Sequence, residues 1–409
     1  MSKIEARTPK GFRDFLGVDA KVRQEVTNTF TKVFERFGFE PLITPALEYA
    51  EVLKGKYGEE EKLIYEFEDR GGRQVALRYD QTVPLARVVA NYPEITKPYK
   101  RYQVQPVWRA ENPQKGRFRE FIQVDIDTIG SSSLLVEAET ISCIVTAMQA
   151  LGFKNFNLKI NDREVFAGLP NSVISTIDKL DKIGEEGVVA LLKNQSYSDF
   201  QARDILKKVT DSKPTAMVEK LFDLLSKYKV SQDLYSFDPS LARGLDYYTG
   251  LIFELEIEGY SAGSVGGGGR YDKLIGTFTD NQQPAMGFSF GFDRILEAMQ
   301  DLGLLSKKTA ISEVLVTIFN PELLTESLET VSFLRNQEIN TEIALESEAK
   351  LDKQIKYADQ KSIPFVIVVG PEEVKNKVVA LKNLKTTKQE LVKLTQVPAL
   401  IDQNKAKSV

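Results

Sequence analysis

The chain has 409 residues, 42% hydrophobic and 27% charged, enough for two or three globular domains with cores of their own. It contains no histidine and one cysteine, which excludes Ser-His-Asp and Cys-His catalytic centres, histidine-ligated metals and an intramolecular disulfide. The net charge of −4 is uneven: Lys350 to Val409 holds 12 Lys against 6 Asp+Glu, a basic end on an acidic body. Such an end suits contact with nucleic-acid phosphates, or is simply a solvated lysine surface. The opening MSKIEARTPKGF has no apolar core of a leader, and no run approaches a membrane span. With the lone Cys143, this predicts a cytoplasmic protein.

In chain order, Asp19 to Gly38 carries Val22, Val26, Phe30, Val33, Phe34 and Phe37 at helical spacing, with Gly38 as its C-terminal cap. FEPLITPALE is extended. LIYEFEDRGGRQVALRY predicts a hairpin, followed by a helix over 83–91. RYQVQPVWRAE and RFREFIQVDIDTIG predict two strands around Asn112–Gly116, favouring an antiparallel sheet. A helix is expected over 134–152, with Cys143 packed inside it, and a strand at FNLKIN. Residues 164–235 read as a helical insertion. Strands resume in YYTGLIFELEIEG, and PAMGFSFGFDRILEAMQ reads as strand into helix. After LSKK, β-α-β-α-β alternation predicts a separate, mostly parallel α/β domain.

The chemistry concentrates in RAENPQKGRFREFIQVDID. Residues two apart in a strand share a face. Phe121, Gln123, Asp125 and Asp127 therefore point one way, and Ile122, Val124 and Ile126 the other. A solvent-exposed sheet face would explain the charge, but Arg109 and Arg117 lie on opposite arms of the hairpin and can converge on an anion. Guanidinium groups match carboxylates and phosphates and stay charged at any working pH. ALRYDQTVP supplies Asp80 and Thr82, LARGLDYYTG supplies Arg243, Tyr247 and Tyr248, and GFSFGFDRIL places Arg294 at a helix start. The glycine run of SAGSVGGGGRYDKL reads as backbone held against a ligand, beside Tyr271. GxxxxGK[ST] and GxGxxG are absent.

RTPKGFRDF, LRYDQTVPLAR, the arginine hairpin, LARGLDYYTG, GGGGRYDKL and MGFSFGFDRIL together resemble the histidyl-tRNA synthetases, which are class II aminoacyl-tRNA synthetases. The resemblance runs from about Arg7 to Leu391. It implies an α+β fold: an antiparallel catalytic sheet flanked by helices, a helical insertion, and a C-terminal α/β anticodon-binding domain. The expected division is 1–163 (motifs 1 and 2), 164–235 (insertion), 236–306 (histidine motifs and motif 3) and 312–409. The implied activity activates L-histidine with ATP, then transfers it to the 3′ end of its tRNA, with Mg²⁺ carried by ATP and a homodimer built on motif 1. A histidine-sensing, non-catalytic paralogue, the regulatory subunit of ATP phosphoribosyltransferase, is the alternative. Such paralogues typically lack the anticodon domain and the LARGLDYYTG pattern.

By the same resemblance, Arg109 holds the α-phosphate of ATP, Glu111 the adenine and Arg117 the outer phosphates, while Phe121 and Arg294 sandwich the ring. Asp80, Thr82 and Gln123 bind the amino group of histidine, and Asp127 and Tyr248 read its imidazole. Tyr247 and Tyr271 belong to the same histidine site, and Arg243 bridges substrate carboxylate and phosphate. Many relatives have Glu where this chain has Asp80 and Asp127. Finally, a chain without histidine has no side chain with an unperturbed pKa near neutrality. An acidic limb near there in kcat/KM should therefore belong to the substrate's imidazole.

Overall fold

The computed structural model describes residues 4–114, 116–242, 248–305 and 310–406. These form two compact units: 4–14 with Arg23–Leu305, and Phe15–Val22 with 310–406.

Helix α1 (Gly17–Arg36) buries Val26, Phe30, Val33 and Phe34 within the first unit, most of the stripe its spacing predicts. It ends where Gly38 takes φ +74° and the Gly38 and Phe39 amides reach back to the Glu35 and Phe34 carbonyls. Strand β1 (Glu40–Pro41) follows, then β2 (Leu47–Tyr49) and the short helix α2 (Ala50–Leu53). The expected hairpin forms as β3 (Glu66–Glu68) and β4 (Gln74–Leu77), which with β2 make a small antiparallel sheet in the order β2-β4-β3. Helix α3 (Thr82–Asn91) leads into β5 (Tyr99–Trp108) and β6 (Glu120–Ile129), paired antiparallel along their whole lengths. Next come α4 (Leu135–Ala150), which buries Cys143, and β7 (Phe156–Asp162).

From there to residue 234 the chain forms helices α5 (Asn171–Ile177), α6 (Leu180–Asn194), α7 (Asp199–Thr210) and α8 (Ala216–Lys227), alongside short 3-10 turns. β8 (Tyr235–Phe237), β9 (Leu251–Ile257), β10 (Gly266–Arg270), β11 (Ala285–Gly291) and α9 (Phe292–Asp301) complete the unit. Its main sheet has the order β1-β5-β6-β11-β10-β9-β7-β8, antiparallel throughout its middle and parallel only where β1 and β8 join the edges.

One face of this sheet is apolar. Val124 and Ile126 of β6 and Phe288 and Phe290 of β11 pack with Phe30 and Phe34 of α1 and Ile141, Ile144 and Met148 of α4. The alternation that sends those side chains down sends Gln123, Asp125 and Asp127 up.

The glycine run is a strand, β10, in the middle of this sheet. A Cβ at Gly268 would overlap the Gly287 carbonyl, and one at Gly269 would stand 2.6 Å from the Leu251 carbonyl oxygen. Close approach of neighbouring strands therefore accounts for those two glycines, a correction to the reading of the whole run as ligand-facing.

The second unit begins with the expected alternation: β12 (Val314–Val316), α10 (Leu324–Asn336), β13 (Thr341–Ile343), α11 (Leu351–Gln360) and β14 (Phe365–Val368). β12 pairs parallel with both β13 and β14. After α12 (Pro371–Lys375), β15 (Val379–Asn383) and β16 (Gln389–Val392) add an antiparallel hairpin, and α13 (Val397–Ala406) closes the unit. The hairpin escapes a sequence reading because its tip, LKTTK, is polar and β16 is mostly exposed. Val314 and Val316 face one core and Leu315 the other. Among the described residues, no helix is long and apolar enough to cross a membrane.

Candidate active site

The arginine hairpin is built by the register of β5 and β6. Their last pair is Trp108 with Glu120, beyond which the Arg109 amide bonds the Arg119 carbonyl at 3.0 Å. Gln114 and Arg117 exchange backbone bonds of 3.2 and 2.9 Å and close the turn. Arg109 is held above the sheet: its Nε donates to the Tyr79 carbonyl at 3.2 Å, and its guanidinium lies 4.4 Å from the Tyr79 ring and 5.2 Å from Phe121. Burial opposes the Arg109 charge, but Tyr79, Asp80, Glu60 and Glu111 together hold its pKa above the ordinary arginine value.

Arg117 is half exposed and stands 3.3 Å from Glu111. Arg294, in the first turn of α9, donates from Nη1 to the Ser264 carbonyl at 2.6 Å. Burial and then the repulsion of Arg117 lower its pKa, so the two cations are close enough to oppose each other. An anion between them relieves that repulsion. Arg119 does other work: its Nε bonds the Glu111 carbonyl at 3.0 Å and its amide the Gly11 carbonyl at 2.9 Å.

The opposite side of the site is acidic and buried. Gln123, Asp125 and Asp127 are 9%, 2% and 3% exposed, which rules out the solvent-facing reading of their strand. Their cross-strand partners on β5 are Gln105, Gln103 and Arg101, and on β11 Gly291, Ser289 and Gly287. Arg101 is fully buried, with its Nη2 2.7 Å from Asp127 Oδ2. Tyr271 donates a short hydrogen bond to Asp127 Oδ1. A Cβ at Gly287 would overlap that carboxylate, so glycine is what leaves it room.

Asp80 Oδ1 accepts from Tyr57 at 2.8 Å and from the Val83 amide at 3.2 Å. Burial raises the pKa of both Asp80 and Asp127, against the pull of nearby partners. Asp125 is different: neither oxygen has a close hydrogen-bond partner among the described residues. The Ser289 hydroxyl accepts from Gln123 Nε2 at 2.9 Å and keeps its own hydrogen, which is directed at Asp125 and draws its pKa down. Burial pushes the Asp125 carboxyl up to about 7, with Arg101 pulling against it.

The absence of any unperturbed group near neutrality leads to the expectation that an acidic limb there belongs to the substrate's imidazole; the raised Asp125 carboxyl is a second group in that range. In a histidine-free chain, a buried carboxyl takes that place.

A cavity of about 490 Å³ joins the two sides. Arg109, Glu111, Arg117, Phe121 and Arg294 line it, as do Asp80, Thr82, Gln123, Asp127, Tyr248 and Tyr271. Gly266 and Gly267 of β10 also line it. Arg243 and Tyr247 lie outside the described residues. Sequence reasoning missed Arg101, Gln103 and Gln105, although RYQVQ alternates polar and apolar residues just as FIQVDID does. Tyr57 and Glu60 also line the cavity, and nothing local in KYGEEE marks them.

Residues 11–295 match the family model described as histidyl-tRNA synthetase, and residues 313–404 match the anticodon binding domain. A curated histidine–tRNA ligase from Cytophaga hutchinsonii is 38% identical, covering 95% of this chain and 98% of that protein.

The chain belongs to the histidyl-tRNA synthetase family.

The histidyl-tRNA synthetase of Nostoc sp. PCC 7120 superposes with TM-score 0.86 at 29% identity, covering 98% of this chain and all of that one. The α+β architecture, with a central sheet and a separate anticodon-binding unit, is thus the class II synthetase fold. An ATP phosphoribosyltransferase regulatory subunit/histidyl-tRNA synthetase from Bacillus halodurans C superposes with TM-score 0.73 at 21% identity, a likeness of fold alone.

Proposed function

We infer that this synthetase ligates histidine to its tRNA in two steps within the cavity over the main sheet. The observation that carries the reading is the division of one cavity into an arginine side and a buried acceptor side. An amino acid bearing donor nitrogens fits the acceptors, and a nucleotide's phosphates fit the arginines.

In the first step the substrate carboxylate attacks the α-phosphorus of ATP, a new O–P bond forms, and the bond to pyrophosphate breaks. The nucleophile is already ionised, so no protein base is needed. Arg109 is placed to hold the α-phosphate because its guanidinium is fixed by the Tyr79 carbonyl and two rings. Preorganised charge of this kind stabilises the developing pentacoordinate centre. Arg117 takes the outer phosphates. Phe121 and Arg294 take the adenine between a ring face and a planar cation, and Glu111 accepts from it.

Among the described residues, no group of three or more acids or cysteines is arranged to hold a metal ion. Mg²⁺ would be carried in with ATP, as the family resemblance implies, and would neutralise phosphate charge.

Asp80, Thr82 and Gln123 bind the substrate's ammonium, and the Asp127, Tyr248 and Tyr271 group surrounds its imidazole. A site built from acceptors leaves them unpaired against an apolar isostere, which gives discrimination of order 10⁴. In the second step the terminal hydroxyl of the tRNA attacks the activated carbonyl, AMP leaves, and a phosphate oxygen takes the proton. Arg243 and Tyr247 carry the roles their motif implies, carboxylate bridging and the histidine site. The lysines of residues 350–409 hold tRNA phosphates, and motif 1 forms a homodimer.

The regulatory-paralogue reading is disfavoured by the anticodon-binding match at 313–404. Pyrophosphate exchange into ATP, run across the twenty amino acids, tests the assignment. Exchange with histidine alone is expected, and no exchange by folded protein would refute it.

A further inference from the structure

The segment ahead of α1 is tied to both cation-bearing elements of the arginine side. The Gly11 carbonyl accepts from the Arg119 amide at 2.9 Å, and a Cβ at Gly11 would stand 2.8 Å from the Arg119 side chain and 2.9 Å from Pro113. Backbone therefore lies directly on the arginine turn. Two residues on, the Arg13 guanidinium lies 3.1 Å from the centre of the Phe118 ring, and Phe118 follows Arg117 in the chain.

The same guanidinium reaches α9. Arg13 Nη2 donates to Asp293 Oδ1 at 2.8 Å, and Asp293 immediately precedes Arg294. Asp293 is 8% exposed and also accepts from Arg23 of α1 at 2.7 Å. The tip of the turn comes close to α9 as well: a Cβ at Gly116 would stand 3.2 Å from Glu297 Oε2. These contacts work against repulsion, because Arg117 and Arg294 oppose each other across the cavity. With no nucleotide between them, that repulsion favours a turn drawn away from α9. Arg13 resists it by holding an aromatic face on one element and a carboxylate on the other.

We propose that Arg13 is a positioning residue for the nucleotide: it straps the arginine turn to α9, so that Arg117 and Arg294 are set before ATP arrives. This deepens the reading of the arginine side as the ATP site and rests on it. Arg13 itself stands outside the lining of the cavity, so its effect passes through the residues it holds. A site ordered in advance binds more tightly because the ligand has less to order. The strap therefore acts on affinity for ATP and leaves the acid side alone.

Pyrophosphate exchange by the full chain, with each KM measured separately, reads this. Arg13→Met removes the strap while Arg23 still holds Asp293. KM for ATP should rise about three- to tenfold, with KM for histidine within about twofold of wild type. In an Arg117→Ala background there is no repulsion left to oppose, and Arg13→Met should then raise KM for ATP by no more than about twofold. An equal rise in both backgrounds would mean that Arg13 does not act through the turn, and would overturn the proposal. So would an unchanged KM for ATP in the single variant, or a matching rise in KM for histidine. Should Arg13→Met fail to fold, Phe118→Leu removes the other half of the same contact and makes the same comparison. Wild-type exchange driven by histidine tests the underlying reading separately, so only this inference falls if the variants behave as wild type.

Discussion

The two sides of the cavity solve opposite problems. On the arginine side, Arg117 is 48% exposed and Arg109 leans on a backbone carbonyl and aromatic rings. Positive charge there tolerates water and does not depend on pH. On the acid side, Asp125, Asp127 and Arg101 are at most 3% exposed, and their charges are set by one another and by burial. Phosphates bring enough charge to be gripped even where one cation, Arg117, is half exposed. Discrimination of an imidazole requires buried acceptors that nothing else can satisfy.

The largest effect should come from removing the fixed cation. Arg109→Ala is expected to lower kcat for pyrophosphate exchange by about 10²–10³-fold, the scale for losing one preorganised group at a developing charge. A loss confined to KM for ATP would instead make Arg109 a ground-state contact.

On the acid side the corresponding change strikes stability. Arg101→Met leaves Asp125 and Asp127 buried without their cation and should cost about 3–5 kcal/mol in denaturant unfolding. Unchanged stability would mean that both carboxyls simply protonate.

Gly287→Ala asks how closely the acid side is fitted. The new Cβ displaces the Asp127 carboxylate, so KM for histidine should rise by roughly tenfold, with about 1–3 kcal/mol lost to overpacking. An equal rise in KM for ATP would undo the separation of the two sides.

A smaller effect concerns pH. The Asp125 carboxyl is raised from its ordinary value to about 7 in the folded chain, so its neutral form favours folding. That contribution is present below the unfolded pKa of about 3.9 and is lost as pH rises through about 7. Asp125→Asn should therefore melt higher than wild type at pH 8 and close to it at pH 5. A constant difference between the two pH values would place the titration elsewhere.

The smallest change should come from Arg117→Ala, which removes a half-exposed cation and should raise KM for ATP by roughly tenfold or less.

The same contrast explains what the sequence disclosed. The arginine side was legible because guanidinium groups cluster around a turn in consecutive residues. Asp80, Thr82, Gln123, Asp127, Tyr248 and Tyr271 were named through their motifs. Their surroundings were not, because antiparallel register decides that Arg101 meets Asp127 and Gln103 meets Asp125. A one-residue slip would invert every such pair. The alternation in RYQVQ pointed to a polar face on β5, but not to which residue of β6 each side chain would meet. The glycine run misled for a related reason: Gly268 and Gly269 answer to neighbouring strands, a constraint visible only once the sheet is assembled.

A crystal structure of the protein with histidine and a non-hydrolysable ATP analogue tests the division of the cavity most directly. The account predicts the α-phosphate within hydrogen-bonding distance of Arg109 and the imidazole among Asp127, Tyr248 and Tyr271. Histidine bound among the arginines, or a nucleotide bound away from Arg109, would contradict it.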